Sequence, residues 1–169
     1  MDRAFAETEI DSPHGFVRLV VAERLRSDPA DVARLLQADR PWAALEATPS
    51  SPPGMRRFAL DLKLRLGGDG SALTTFDKAA YLDLGRVEAT AAGWLTDIGW
   101  QAATLAPLFP VFAGRLSIES RAMRIEGLYS PPGGIVGRVA DRILLHIGAS
   151  GTARWLLSEI DTAARLAKD

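Results

Sequence analysis

The hydrophobic pattern of this chain changes its period once, close to residue 130. Before that point several segments alternate apolar and polar side chains, as a strand with one buried face does, and Phe58 to Leu66 is the clearest of them. From Ile135 onward the period is about 3.6 residues, so we predict one long helix from about Gly133 to Lys168. Two prolines and two glycines at 131–134 separate the two patterns, because proline cannot donate to a sheet ladder.

The segments before the change predict a sheet of about six or seven strands. Alternation or a shared apolar parity marks strands at 15–26, 58–66, 78–84 and 93–103 and a hairpin of 112–118 with 123–129. After the first strand, Ser27 or Asp28 can cap a short helix over Asp28 to Leu36 with Pro29 in its first turn, and Arg40 to Leu45 can add a second. Strands and helices do not alternate, so the pattern favours an antiparallel sheet and the α+β class.

Composition sets limits on partners. The 169 residues suit one domain, with residues 1–12 as an N-terminal extension. A net charge of -1 gives no field to attract nucleic acid, and the absence of Cys excludes disulfides and the usual structural zinc sites. The start of the chain is acidic and no stretch approaches about 20 apolar residues, so we expect a cytoplasmic protein with no stable membrane insertion.

The sequence contains no recognisable motif for catalysis, metal binding or cofactor binding. His14 and His146 are far apart in sequence, and on a helix Asp141 and His146 would project roughly 140° apart. The glycines before the terminal helix lack the Lys-Ser or Lys-Thr of a phosphate-binding loop, and no Gly-x-Ser-x-Gly occurs. We therefore predict no catalytic residue, no metal ligand and no cofactor.

The polar groups on the inward parities are few and neutral. They are Thr96, the indoles of Trp94 and Trp100, and the Tyr129 hydroxyl, with no carboxylate, Lys or His. General acid–base catalysis needs a positioned titratable group, so this inventory favours binding over reaction. A register slip of one residue would turn Asp97 inward instead. Two interpretations of the indoles stay open: they line a cavity, or they are ordinary side chains of the hydrophobic core.

The last third of the chain resembles a known superfamily. The residues that carry the resemblance are Phe109-Pro110, Gly127-x-Tyr129-x-Pro131-Pro132, Gly137, Asp141, Leu144-Leu145-His146 and the amphipathic tail to Leu166. Together with the order of elements, they resemble the SRPBCC superfamily of START-like, helix-grip proteins, and in particular a bacterial subgroup of small members. Polyketide cyclases, lipid-transfer START domains, coenzyme Q-binding proteins and birch-pollen-type allergens belong to this superfamily.

The resemblance implies a curved antiparallel sheet wrapped around the C-terminal helix, with a cavity between them. Our hypothesis is that this cavity binds or carries a hydrophobic small molecule, such as a lipid, an isoprenoid quinone or a polyketide-like compound. The alternatives are a polyketide cyclase, aromatase or dehydratase that uses the same cavity, and an interaction module with no ligand. The residues predicted to line the cavity are Leu62, Leu64, Trp94, Thr96, Ile98, Trp100, Phe112, Leu116, Ile125, Tyr129, Val139, Ile143 and Ile147.

The apolar stripe of the predicted helix shifts by roughly 100° near Gly148. A kink at the glycines or a straight helix with a rotating buried face would both explain the shift. In either case we expect Ala153 to Leu166 to pack as the core partner of the sheet and Ile135 to Ile147 to form the cavity wall.

Overall fold

One antiparallel sheet and two helices account for the part of the chain that the computed structural model describes, residues 16–66, 74–103, 111–130 and 139–167, with side chains described except at 63–66, 74–78 and 139–148. In chain order the elements are β1 (Val17–Arg24), α1 (Pro29–Gln37), β2 (Glu46–Ala47), β3 (Arg56–Leu66), β4 (Thr74–Leu84), β5 (Glu88–Thr90), β6 (Gly93–Ala102), β7 (Val111–Ile118), β8 (Ala122–Ser130) and α2 (Val139–Leu166).

The strands form one sheet in the order β1-β8-β7-β6-β4-β3-β2, and β5 pairs with the first part of β6. Every pairing is antiparallel. The predicted α+β class and antiparallel sheet are confirmed, with eight strands where six or seven were expected. The additional strands β2 and β5 have two and three residues, all of them exposed, so they carry no hydrophobic alternation.

One face of the sheet is buried, and we call it the inner face. It carries the apolar parity of each long strand, and its fully buried members include Leu19, Val21, Phe58, Leu62, Leu82, Ile98, Leu116 and Ile125. This parity is the one that the alternation of the sequence predicts, because successive side chains of a strand point to opposite faces.

Helix α2 covers the inner face. It contacts β1 and β3, which lie far apart in the strand order, and also β8, so the sheet must curl around the helix. From residue 149 the stripe that meets the sheet is Ala149, Ala153, Leu156, Leu157, Ile160 and Ala164, all at most 2% exposed. The predicted packing of this part of the helix is therefore confirmed, and the small alanines allow a close approach.

The two ends and the middle of α2 differ in part from the prediction. The helix ends at Leu166 rather than Lys168, and its predicted beginning at Gly133 lies outside the described residues. Gly148 and Gly151 lie within an uninterrupted helix. Helical backbone therefore continues across the point where the apolar stripe shifts.

Helix α1 forms where the sequence predicts it. Asp28 is the N-cap, and its carboxylate accepts from the Ala30 N–H at 2.8 Å, while Pro29 occupies the first turn. At the other end the Arg56 guanidinium donates to the carbonyls of Leu36, Gln37 and Ala38, which the helix itself leaves unpaired. The helix packs against α2, β6 and β7 and so closes one side of the interior.

The second short helix predicted around Trp42 is absent from the described chain between α1 and β2. The segment forms a turn in which the Leu45 N–H donates to the Trp42 carbonyl at 3.1 Å. Trp42 and Leu45 are both buried in the core, so the apolar spacing reflects burial of a turn and not a helical face.

A buried carboxylate joins α2 to the connection between β1 and α1. Asp161, 7% exposed, accepts from the backbone N–H groups of Arg26 at 3.2 Å and Ser27 at 2.9 Å. The Ser27 hydroxyl donates in return to the Asp161 carbonyl at 2.9 Å. These directional hydrogen bonds fix the position of α2 along its own axis. The apolar contacts alone would not, because they are not directional.

Asp161→Ala should lower the free energy of unfolding by about 2–4 kcal/mol, because two N–H groups lose their acceptor in a partly buried place. Asp161→Asn keeps one oxygen acceptor and should cost about 1 kcal/mol. Arg165→Ala removes a half-exposed ion pair with Asp161 and two long hydrogen bonds within the same helical turn, and should cost less than about 1 kcal/mol. Urea unfolding of the three variants measures these differences, and equal losses for all three would contradict the account.

Candidate functional site

Three aromatic side chains stand side by side on the inner face. In the strand register Trp100 of β6 pairs with Phe112 of β7, and Phe112 pairs with Tyr129 of β8. The Trp100 and Phe112 rings are stacked, with centroids 4.0 Å apart and an interplanar angle of 17°. All three residues are at most 2% exposed. We call Trp100, Phe112 and Tyr129 the aromatic row.

A pair of glycines lies beside the aromatic row. Gly114 of β7 and Gly127 of β8 are direct partners on the inner face. A methyl group placed on Gly114 would come to 2.6 Å from Phe112 Cζ, and one on Gly127 to 2.8 Å from the same atom. The Phe112 ring therefore lies over the two glycines, and any side chain there would displace it. This arrangement sets the orientation of the Trp100–Phe112 stack.

The hydrogen-bonding groups of the inner face differ in how they are satisfied. The Thr96 hydroxyl, on a residue that is 3% exposed, donates to the Asp97 carbonyl at 3.2 Å. The Trp100 Nε1–H is buried and has no acceptor among the described residues. Since a buried polar group without a partner is uncommon, this indole N–H is the chemically distinctive atom of the row.

Burial changes the acidity of the third member of the row. It raises the pKa of the Tyr129 hydroxyl from the ordinary 10.0 to about 12, because the phenolate would have to form away from water. The hydroxyl therefore stays protonated across the physiological range and offers a neutral group, never a charge, to its surroundings.

The buried acids of the described chain lie away from the aromatic row. Asp83 is on the outer face of β4, where the Arg57 guanidinium contacts both of its carboxylate oxygens at 2.7 and 2.9 Å. This carboxylate raises the pKa of Arg57 further. Asp161 holds the backbone before α1. Neither arrangement places a titratable group beside the aromatic row.

The structure places the predicted lining residues of the strands on one face. Buried on the inner face are Leu62, Thr96, Ile98, Trp100, Phe112, Leu116, Ile125 and Tyr129. Trp94 is partly buried against the same core. Leu64 lies in β3 and Val139, Ile143 and Ile147 lie in α2, but their side chains are outside the described set. Their role as ligand contacts stays a prediction.

Sequence reasoning missed how the inner face is arranged in rows. Phe58 and Leu82 continue the aromatic row across β3 and β4, because Phe58 pairs with Leu82 and Leu82 pairs with Trp100. Alternation predicts that both face inward, but it contains no signal for which residues on different strands become neighbours. The sequence analysis also did not identify the glycine pair, because a contact between Gly114 and Gly127 depends on the register of β7 against β8.

An open cleft of about 480 Å³ lies elsewhere, at the C-terminal end of α1. Its lining residues are Gln37, Gly54, Met55, Arg56, Leu84, Gly85, Arg86 and Val87. None of the predicted lining residues belongs to it. Arg56, its most deeply placed cation, already donates to three carbonyls of α1 and its cap. The cleft thus lacks an uncommitted buried polar group that would select a ligand.

The described residues form neither a metal-binding cluster nor a membrane-spanning helix. No group of three or more His, Cys, Asp or Glu side chains is placed to hold a metal ion in those ranges. Within the same ranges, neither helix combines the length and apolar character needed to cross a membrane.

The described chain is thus a curled antiparallel sheet closed on a C-terminal helix, with a short helix after the first strand, which is a helix-grip arrangement. Two solved structures are similar over most of the chain. A STAR-related lipid transfer protein from Xanthomonas axonopodis shares 17% identity over 92% of this chain and 98% of its own, with a TM-score of 0.38. A protein from Arthrobacter aurescens shares 13% identity over 94% and 91%, with a TM-score of 0.45. No family model and no curated protein matches the chain.

Stability at high pH should report on Tyr129. Between about pH 10 and pH 12 the unfolded chain releases the phenol proton while the folded chain keeps it, so stability falls as the pH rises through this window. Two pKa units correspond to a loss of about 3 kcal/mol, and the contribution is fully present below about pH 10.

Urea unfolding at about pH 9 and pH 11 measures about half of this loss, roughly 1.4 kcal/mol, in the native protein, and Tyr129→Phe should lack it. Tyr81→Phe is the matched control, because Tyr81 is the other tyrosine of the chain and Tyr129 still titrates in that variant. If native protein and Tyr129→Phe lost stability equally over this window, the phenol would not be buried as described.

Proposed function

We propose that this protein binds a hydrophobic small molecule, a lipid, an isoprenoid quinone or a polyketide-like compound, between the aromatic row and the first part of α2. The supporting observation is the aromatic row itself. Stacked, rigid aromatic walls with few neutral polar groups are typical of sites for apolar ligands.

The packing of α2 supports this location. From residue 149 onward its apolar stripe is buried against the sheet, so that part of the interior is occupied by side chains. The aromatic row lies at the opposite end of the inner strands, near the ends of β6 and β8 and the beginning of β7. The ligand would therefore lie over the row, against the residues of α2 that precede Gly148, including Val139, Ile143 and Ile147.

The charge distribution supports an apolar ligand over a charged one. The inner face has Arg56 and Glu23 only at its margins among the described residues, and both are engaged, Arg56 with carbonyls of α1 and Glu23 with Arg154 at 3.7 Å. An ionised ligand group placed over the row would lose its hydration and gain no counter-ion from the residues whose side chains are described.

Phe112→Leu should weaken ligand binding by about threefold to tenfold, because an aromatic contact contributes roughly 0.5–1.5 kcal/mol beyond the area it buries. The probes are hexadecanol, decylubiquinone and anthraquinone, one for each ligand class, and all three are uncharged. Native mass spectrometry detects the complex, and calorimetry gives its Kd. Bound probe should also raise the melting temperature of the native protein.

Val111→Leu is the matched control. Val111 precedes Phe112 on the same strand, points to the outer face and is 50% exposed, so its substitution should leave Kd unchanged. Circular dichroism confirms that both variants are folded. Absence of binding by all three probes, or equal weakening by both substitutions, would refute the proposal.

A further inference from the structure

We infer that the ligand is a flat, conjugated molecule with a neutral acceptor oxygen, such as a ketone or quinone carbonyl, and that this oxygen accepts from Trp100 Nε1–H. The inference rests on the proposed function and adds to it the chemical group that the site selects. The observation that carries it is the buried indole N–H without a partner.

The surroundings of Trp100 explain why the sheet cannot supply the acceptor. Its cross-strand partners are Leu82 and Phe112, and its inward neighbours along β6 are Ile98 and Ala102. All four side chains are hydrocarbon, and carbonyls within the sheet are used by the strand ladder. The strands around Trp100 therefore supply no acceptor, and a molecule that lies over the row could supply one.

Trp42 provides the comparison within this chain. Its Nε1–H is also buried and unpartnered among the described residues, but Trp42 lies in the turn between α1 and β2 and stacks on no aromatic ring there. Trp100 belongs to the aromatic row, stacked on Phe112, whereas Trp42 lies outside it. The donor that a ligand over the row would meet is thus Trp100.

The acceptor is neutral because, among the residues whose side chains are described, no uncommitted cation lies on the inner face. Arg56, at the margin of the inner face, already donates to the Leu36, Gln37 and Ala38 carbonyls. A carboxylate would have to give up its hydration for one indole N–H, whereas a carbonyl gives up much less.

The ligand is flat because the stack is nearly parallel. The Trp100 and Phe112 rings meet at 17° with centroids 4.0 Å apart, and a planar ring system laid against them extends the same geometry. A carbonyl in the plane of that ring system can approach an N–H in the plane of the indole.

Fluorene and fluorenone test the inference, because they have the same ring skeleton and differ by a methylene and a carbonyl group. Calorimetry should give fluorenone a Kd about threefold to tenfold lower than that of fluorene, as one added hydrogen bond predicts. Fluorene-9-carboxylate should bind more weakly than fluorenone. In proton NMR, fluorenone should shift the Trp100 indole N–H resonance downfield, and fluorene should not.

Trp100→Phe keeps an aromatic ring and removes the donor, so it should abolish the difference between the two probes, whereas Trp42→Phe should preserve it. The NMR shift tests the bond in the native protein if Trp100→Phe does not fold. Equal Kd values for the two probes, or a difference that survives in Trp100→Phe, overturn the inference. If hexadecanol binds and fluorenone, anthraquinone and decylubiquinone do not, the inference fails and the proposed function stands. If none of the probes binds, both fail.

Discussion

Burial of the inner face is the constraint on which the rest of the structure depends. Each long strand presents an apolar parity, and an antiparallel sheet of this length would expose a large hydrophobic surface if nothing covered it. Helix α2 covers it by contacting β1 and β3, strands far apart in the sheet, and this requires the sheet to curl. Leu156, Leu157 and Ile160 are completely buried as a result, and each contributes about 1.5–3 kcal/mol.

The curl of the sheet has a consequence for its middle strands. The side chains of β6, β7 and β8 must fill the space beneath the helices, and the largest of them form the aromatic row. Gly114 and Gly127 make room for the Phe112 ring, so the backbone of two strands serves as the support of the stack. The same geometry encloses the Trp100 Nε1–H among hydrocarbon groups. The buried donor is therefore a product of how the interior is packed, and a ligand acceptor would remove its energetic penalty.

Features set by neighbouring residues could be predicted from the sequence. The faces of the strands follow from alternation, and the start of α1 follows from Asp28 and Pro29, because these depend on local backbone geometry. Contacts between distant segments could not be predicted in this way. The sequence around Asp161 contains no pattern that predicts the hydrogen bonds its carboxylate accepts from the N–H groups of Arg26 and Ser27.

The candidate site could likewise be predicted only in part. Its inward residues could be listed from parity, but the neighbours of Trp100 across the sheet depend on register, which loops and tertiary packing determine. The cleft at the end of α1 combines three separate segments, and no local pattern predicts that they meet. The unpartnered indole depends on every residue around it, so only the three-dimensional arrangement reveals it.

The most direct test of the central claim is to locate a bound apolar molecule by nuclear Overhauser effects between isotope-labelled protein and unlabelled anthraquinone. The account predicts contacts from the ligand protons to the rings of Trp100, Phe112 and Tyr129. Contacts confined to Met55 and Val87, in the cleft at the end of α1, would contradict it.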